Sequence, residues 1–331
     1  MSRPQLIVVV DTEEEFDWDE PFSRDSTATT AIAAQGEAHA IFDRYGIVPT
    51  YVVDYPVATD DEAVSILSGL LREGRAEIGA HLHPWVTPPF DEDVTVRNSY
   101  HCNLPAAVER SKIEQITRTI EQAFGLRPTI FKAGRYGFGP NTRRVLIDLG
   151  YKVDCSYVPF TSFASDGGPS FYGTRPEPFW LDREKTLLEV PLTSGYVGAW
   201  ARYGRRVQWL FDNPVAHAVK LTGLLSRLNL LGRARLTPEG VSAAEQCRLL
   251  DTLVAQGQRL FTLSYHSPSL APGHTPYVRD AADLRAFLAT IDDVLRHFRD
   301  VIGGEFTTLG RFSAEMRGRR EPLRLRESVH A

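Results

Sequence analysis

The sequence predicts a parallel α/β fold, and three observations carry that reading. Residues 6–10, Leu-Ile-Val-Val-Val, are apolar and largely β-branched, the pattern of a strand buried on both faces. Short strand-like runs then alternate with helical ones along the chain, as connections between parallel strands require. Acids, histidines and a lysine stand where those strands end, and the C-terminal strand ends are where parallel α/β folds place their sites.

The elements follow in order. Strand 6–10 runs into Asp11-Thr12-Glu13-Glu14-Glu15. A helix over 30–45 is stopped by Gly46 and followed by strand 48–53. A second helix, 61–73, is stopped by Gly74 and feeds strand 76–80. Next comes Glu77-Ile78-Gly79-Ala80-His81-Leu82-His83, in which His81 and His83, two residues apart, share one face of an extended strand. Residues 86–105 make a long irregular loop, and loops of that length inside a compact domain usually serve function. A helix from Pro105 to Phe124 precedes strand 129–132 and Ala133-Gly134-Arg135-Tyr136-Gly137. Helix 141–149 leads to the strand end Lys152–Ser156, and strand 187–193 follows a stretch rich in Gly, Pro and Ser. A helical insert is expected at 208–232, where Trp209, Leu210, Val215, Val219, Leu221, Leu224, Leu225 and Leu228 form an apolar stripe; core packing is its first reading and membrane contact its second. Helix 241–256, strand 259–266 ending in His266, helix 280–299 and strand 305–309 complete the series. One domain over 1–315 and a charged, disordered tail over 316–331 are expected.

Composition excludes several functions. The 331 residues carry a formal net charge of −5 with no basic block before the tail, which argues against nucleic acid as a partner. The apolar run after Met1 is too short for a signal segment or a membrane span, so a cytoplasmic protein is expected. Three cysteines without C-x-x-C spacing fit a reducing compartment.

The strand ends together supply Asp11 and Glu13, His81 and His83, Lys132 and Arg135, Asp154 and His266. One carboxylate and two imidazoles make a common three-ligand set that leaves a position open for water, as catalytic zinc requires. A divalent ion, zinc first, would lower the pKa of that water, and a nearby carboxylate could take its proton. A positive group beside Asp11, Lys132 or Arg135, would keep that carboxylate ionised. Trp18, Trp85, Tyr100 and Tyr136 offer faces on which a sugar could stack, and His101 lies in the long loop among them. His39, His217 and His297 fall within helical stretches and read as structural.

With these residues assembled, the chain from Leu6 to Leu309 resembles the polysaccharide deacetylases, carbohydrate esterase family four. Asp11-Thr12-Glu13 resembles that family's paired-acid motif, commonly Asp-Asp or Asp-x-Asp. Glu77-Ile78-Gly79-Ala80 with His81 and His83 resembles its metal-binding motif, usually His-x-x-x-His. Lys132 to Gly137 and Leu263-Ser264-Tyr265-His266 resemble its later motifs. The resemblance implies a distorted seven-stranded (β/α) barrel and a metal-dependent hydrolase that removes an N-acetyl group from an amino sugar or saccharide conjugate. It implies Asp11 as base, Glu13, His81 and His83 on the metal, and His266 as general acid. Arg135 or Lys132 would orient the base, and the Tyr136 N–H would meet the oxyanion. The departures leave alternatives: Glu14 for Glu13, and His101 for one histidine of the tightly spaced pair. A carbohydrate-binding barrel without catalysis and a barrel hydrolase of a non-sugar amide are the rival functions.

Overall fold

Eleven strands carry the architecture of the computed structural model, which describes residues 3–212 and 220–318. They are β1 (Gln5–Thr12), β2 (Thr50–Val53), β3 (Glu77–Leu82), β4 (Ile130–Ala133), β5 (Val153–Asp154), β6 (Phe179–Trp180), β7 (Leu188–Glu189), β8 (Ser194–Val197), β9 (Gly232–Arg235), β10 (Leu260–His266) and β11 (Glu305–Phe306). The main sheet runs β10-β1-β2-β3-β4-β5-β7-β6, with β11 also on β1, and every pairing in it is parallel except β6 with β7. Seven consecutive parallel strands, β10 through β7, curve into the expected distorted (β/α) barrel.

No ladder joins β7 to β10. Thr193, just past β7, bridges the gap instead: its Oγ1 accepts from the Thr262 N–H at 2.8 Å. The antiparallel hairpin β8–β9 is built onto this seam, with the Ser264 N–H donating to Leu236 O and the Leu236 N–H to Thr193 O.

Nine helices are labelled among the described residues: α1 (Gln35–Tyr45), α2 (Tyr55–Thr59), α3 (Asp61–Arg72), α4 (Ala106–Phe124), α5 (Pro140–Asp148), α6 (Leu221–Arg227), α7 (Ala243–Ala255), α8 (Ala281–Arg296) and α9 (Leu309–Gly318). Their ends follow local chemistry. Asp60 caps α3, Asp280 caps α8, and Ser242 with Glu245 forms a reciprocal capping box on α7. Gly46 and Gly125 close α1 and α4 in the left-handed conformation.

The period of two along each strand sorts the core into two layers. Leu6, Val8 and Val10 of β1 face outward with Ala80, Leu82 and Phe131 into the large core beneath the helices. Ile7 and Val9 face inward with Val52, Ile130, Val153 and Leu260, and there they meet Leu309, Phe312 and Met316 of α9. The inward positions are thus apolar at the strand starts, where α9 closes the barrel. Further along the strands the same face presents Asp11, His81 after Gly79, Lys132, and His266.

Three stretches differ in detail from the expectations. Among the described residues the insert at 208–232 is helical at Gln208–Asp212, as a 3-10 turn, and at Leu221–Arg227, and it ends as strand β9; Val215 and Val219 lie outside the described residues. The hairpin β8–β9 lacks a long apolar run because one strand is Gly-Arg-Ala-Arg. Helix α9 carries the ordered chain through the expected boundary at 315, because Leu309, Phe312 and Met316, at i, i+3 and i+7, form one buried stripe. The remainder of the expected tail, 319–331, lies outside the described residues. No helix among the described residues is long and apolar enough to cross a membrane.

Candidate metal centre and active site

A cavity of about 520 Å³ opens at the C-terminal ends of the strands, and Asp11, Glu13, His81, His83 and His266 all face it. Strand register brings them together. Asp11 is the partner of His266 across β1 and β10, and His81 that of Lys132 across β3 and β4.

Asp11 is buried, and both of its carboxylate oxygens accept from Lys132 Nζ, at 2.6 and 2.7 Å. Burial alone would raise the Asp11 pKa, but Lys132, His266 and His81 outweigh it and hold the carboxyl below its ordinary value. The same pairing lifts the fully buried Lys132 ammonium above its usual range despite desolvation. The Asp11 carboxylate is therefore ionised and fixed in place.

Glu13 lies 2 % exposed, with its backbone N–H on Ser267 Oγ. Its Oε2 is 3.4 Å from His81 Nε2 and 3.5 Å from His83 Nε2, while Oε1 is buried without a hydrogen-bond partner. The histidines are oriented from behind. His81 Nδ1–H donates to Lys132 O at 3.1 Å, and His83 Nδ1–H donates to Glu14 Oε2 at 2.8 Å. Each ring, its donor hydrogen so assigned, points the Nε2 lone pair into the cavity, and the two Nε2 atoms are 3.2 Å apart. Burial holds both imidazoles neutral, His83 with its pKa down to about 4 and His81 well below its ordinary value.

Glu14 holds more than His83. Its Oε1 accepts from Trp85 Nε1 at 2.7 Å, and its N–H donates to Asp54 Oδ2 at 2.8 Å. Burial pushes the Glu14 carboxyl up to about 7. Asp54, directly after β2, also caps α2 through the Val57 N–H.

His266 has the opposite character. Its Nδ1–H donates to Glu239 Oε2 at 2.8 Å, and Glu239 Oε1 accepts from the His266 N–H and from Ser269 Oγ. Its Nε2 is 3.6 Å from Asp11 Oδ2. Desolvation would lower the His266 pKa, but Glu239, Glu13 and Asp11 raise it well above the ordinary imidazole value. Trp18 packs edge-on against this ring at 5.3 Å. The cavity thus holds an ionised carboxylate, two neutral imidazoles and one imidazolium.

No protein-family model and no curated protein matches the sequence. Solved structures do match. One from Mycobacterium smegmatis, described as a polysaccharide deacetylase, aligns over 100 % of this chain and 96 % of its own at TM-score 0.54 and 14 % identity. Another so described, from Pseudomonas aeruginosa PAO1, aligns over 96 % of this chain and 91 % of its own at TM-score 0.55 and 14 % identity. The fold is that of the polysaccharide deacetylases. Puue allantoinase shares this deacetylase fold, aligning over 96 % of this chain and 91 % of its own at TM-score 0.56 and 15 % identity.

Among the described residues, Glu13, His81 and His83 form one of three groups whose ligand atoms lie close enough for a single metal ion. In the other two, Asp11 with Glu13 and His266, and Glu14 with Asp54 and His83, the carboxylates are already engaged: both Asp11 oxygens by Lys132, Glu14 by Trp85, and Asp54 by the Glu14 and Val57 N–H groups. The first group fits an ion on its own chemistry. Two lone pairs face each other beside a buried carboxylate with an unpartnered oxygen, an arrangement that a cation relieves and that suits zinc.

The remaining expected site residues separate. Lys132, not Arg135, touches Asp11. Arg135 instead bonds Ser99 Oγ and Val96 O and packs 4.3 Å over the Tyr100 ring, although its side chain does line the cavity. Tyr136 and Trp18 line the cavity as well, and so does the edge of Tyr100, whose ring is otherwise buried. Trp85 is 2 % exposed and stacked between His83 and Phe22, so its faces are covered and it supports the histidine instead of offering a stacking surface. His101 is fully buried on Glu109 at 3.0 Å, away from the cavity wall, and presents no accessible atom to a substrate or to the ion. Asp154 is occupied by the N–H and Oγ of Ser156.

Reading the sequence missed Glu239, Asp54 and the role of Glu14. Asp54 follows β2 directly, so the strand-end rule could have found it; Glu239 sits in the turn Thr237-Pro238-Glu239-Gly240, which carries no strand-end signal.

Proposed function

We propose that this chain is a metal-dependent hydrolase that removes an N-acyl group, acetyl first, from an amino sugar or saccharide conjugate. One observation carries the reading: two neutral histidines converge their lone pairs beside Glu13, within one cavity that also holds the Asp11–Lys132 pair and the His266–Glu239 pair. A divalent ion on Glu13, His81 and His83, zinc by the donor set, would supply Lewis acidity to a carbonyl and to a water. Asp11, ionised and fixed by Lys132, takes the proton of the attacking water. His266, protonated and with Nε2 directed at the Asp11 side of the cavity, delivers a proton to the departing nitrogen. The Tyr136 N–H serves the oxyanion in the same scheme, and the rings of Trp18 and Tyr136 flank the sugar. All three cysteines are free thiols, which suits the cytoplasm as the compartment we assign.

A second reading has its own support. The allantoinase superposes as well as the deacetylases do, so a small non-sugar amide is the rival substrate. Metal content of the purified protein, with acetate release from N-acetylated sugars measured against hydrolysis of small cyclic amides, tests both. Bound divalent metal and acetate release are expected, with Asp11→Asn lowering turnover about 10²–10⁴-fold. Turnover of the cyclic amides alone would move the assignment to the rival. A metal-free protein that stays inert after metal is added would make the barrel a carbohydrate binder.

A further inference from the structure

We propose that the cavity contains an anion subsite at Arg235 and that the substrate presents an oxyanion there, a phosphate or a carboxylate. The inference rests on the amide-hydrolase reading above and adds the charge class of what is hydrolysed.

Strand β9 places Arg233 and Arg235 on one face, two residues apart, and both side chains line the cavity. Their surroundings differ. Arg233 forks onto Asp212, Nη2 to Oδ1 at 2.7 Å and Nη1 to Oδ2 at 3.0 Å, and also donates to Phe160 O. Its charge is spent on holding the insert. Arg135 is engaged by Ser99 and by Asp166 at 3.4 Å, and Lys132 by Asp11.

Arg235 alone of these cations has no carboxylate partner among the described residues. Its only polar contact among the described residues is Nη2 to Thr161 Oγ1 at 3.4 Å, and its guanidinium lies 5.8 and 5.9 Å from the rings of Tyr136 and Phe163. A guanidinium has five N–H donors, and one long bond leaves most of them to water or to a ligand. The two rings set the position of the group without neutralising it.

The acids of the wall do not answer it either. Asp11 belongs to Lys132 and Glu239 to His266, while Glu20 stands on the exposed rim with no contact to Arg235. A planar fork of unsatisfied donors on the wall of the reaction cavity matches a phosphate or carboxylate through paired, charge-assisted hydrogen bonds.

The test compares three substrates on the metal-loaded full chain: the methyl glycoside of N-acetylglucosamine, its anomeric phosphate, and the corresponding uronate. We expect one of the two anions to exceed the neutral glycoside in kcat/KM by about ten- to a hundredfold. Which anion wins identifies the oxyanion. In Arg235→Gln the anion-to-neutral ratio should fall toward one, and Arg235→Lys should restore part of it as a point charge. A wild-type ratio near one, or a ratio that survives Arg235→Gln, overturns the subsite. If no substrate turns over, the hydrolase reading fails separately, and calorimetric titration with the same three compounds decides the subsite. Tighter binding of an anion by wild type than by Arg235→Gln supports it; equal binding of all three, or no anion binding, overturns it.

Discussion

The His81–His83 pair and His266 are the same ring in the same cavity, placed by strand ends of one sheet, yet they hold opposite charge states. The difference lies behind each ring. His81 leans on a backbone carbonyl, and His83 leans on Glu14, whose own carboxyl is pushed up to about 7 by burial. Neither support offers enough negative charge to overcome desolvation, so both rings stay neutral with open lone pairs. His266 leans on Glu239, whose carboxyl is held below its ordinary value despite burial, by His266 itself and by the hydrogen bond from Ser269. That partner keeps the ring charged. A barrel can thus make a metal ligand or an acid from one residue type by choosing what stands behind the ring.

The contrast can be broken at four points. Removing the charged ring itself should cost most: His266→Asn is expected to lower kcat about 10²–10⁴-fold with metal content unchanged, read by turnover and metal analysis together. Glu14→Gln leaves one acceptor oxygen for two donors, His83 Nδ1–H and Trp85 Nε1–H, while leaving all three ligands in place. It should weaken metal affinity about 10–100-fold, measured by competition with a chelator. Gly134→Ala crowds the same ring, because a Cβ there would stand 2.3 Å from His83 Cδ2 and from Leu82 O. A loss of about 1–3 kcal/mol in denaturant unfolding is expected.

The gentlest change is Glu239→Gln, which keeps an acceptor for His266 Nδ1–H but removes its charge. His266 acts in its protonated form, so activity is lost as pH rises through its raised pKa; without Glu239 that pKa falls, and the basic limb of the kcat profile moves to lower pH. A limb that stays in place would assign the acid to another group.

Much of this site was legible because strand starts are apolar and strand ends are not. Leu6 to Val10 announced β1, and Asp11 then had to fall at its functional edge. The spacing of His81 and His83 told which face they share. What stayed hidden depends on contacts between distant segments. Glu239 reaches His266 from 27 residues away in sequence, through a turn after a strand too short and too charged to stand out. The choice of Lys132 over Arg135 was equally closed to the sequence. Lys132 follows the inward parity of β4, whereas Arg135 sits beyond the strand with φ 49, in a turn that aims it at Ser99. Trp85 and His101 looked like binding residues because one precedes a long loop and the other lies in it; Trp85 is covered by His83 and Phe22, and His101 turns inward onto Glu109.

The alternation along the strands has a consequence for how this protein can change over time. Each of β1, β4 and β10 uses one and the same face for the barrel filling at its start and for the chemistry at its end. A single inserted or deleted residue within such a strand would turn its functional end outward and set the residues meant for the helix layer against α9. Length variation is therefore confined to the connections, such as the insert between β8 and β9, where whole segments can be gained or lost without disturbing a register on which core and reaction jointly depend.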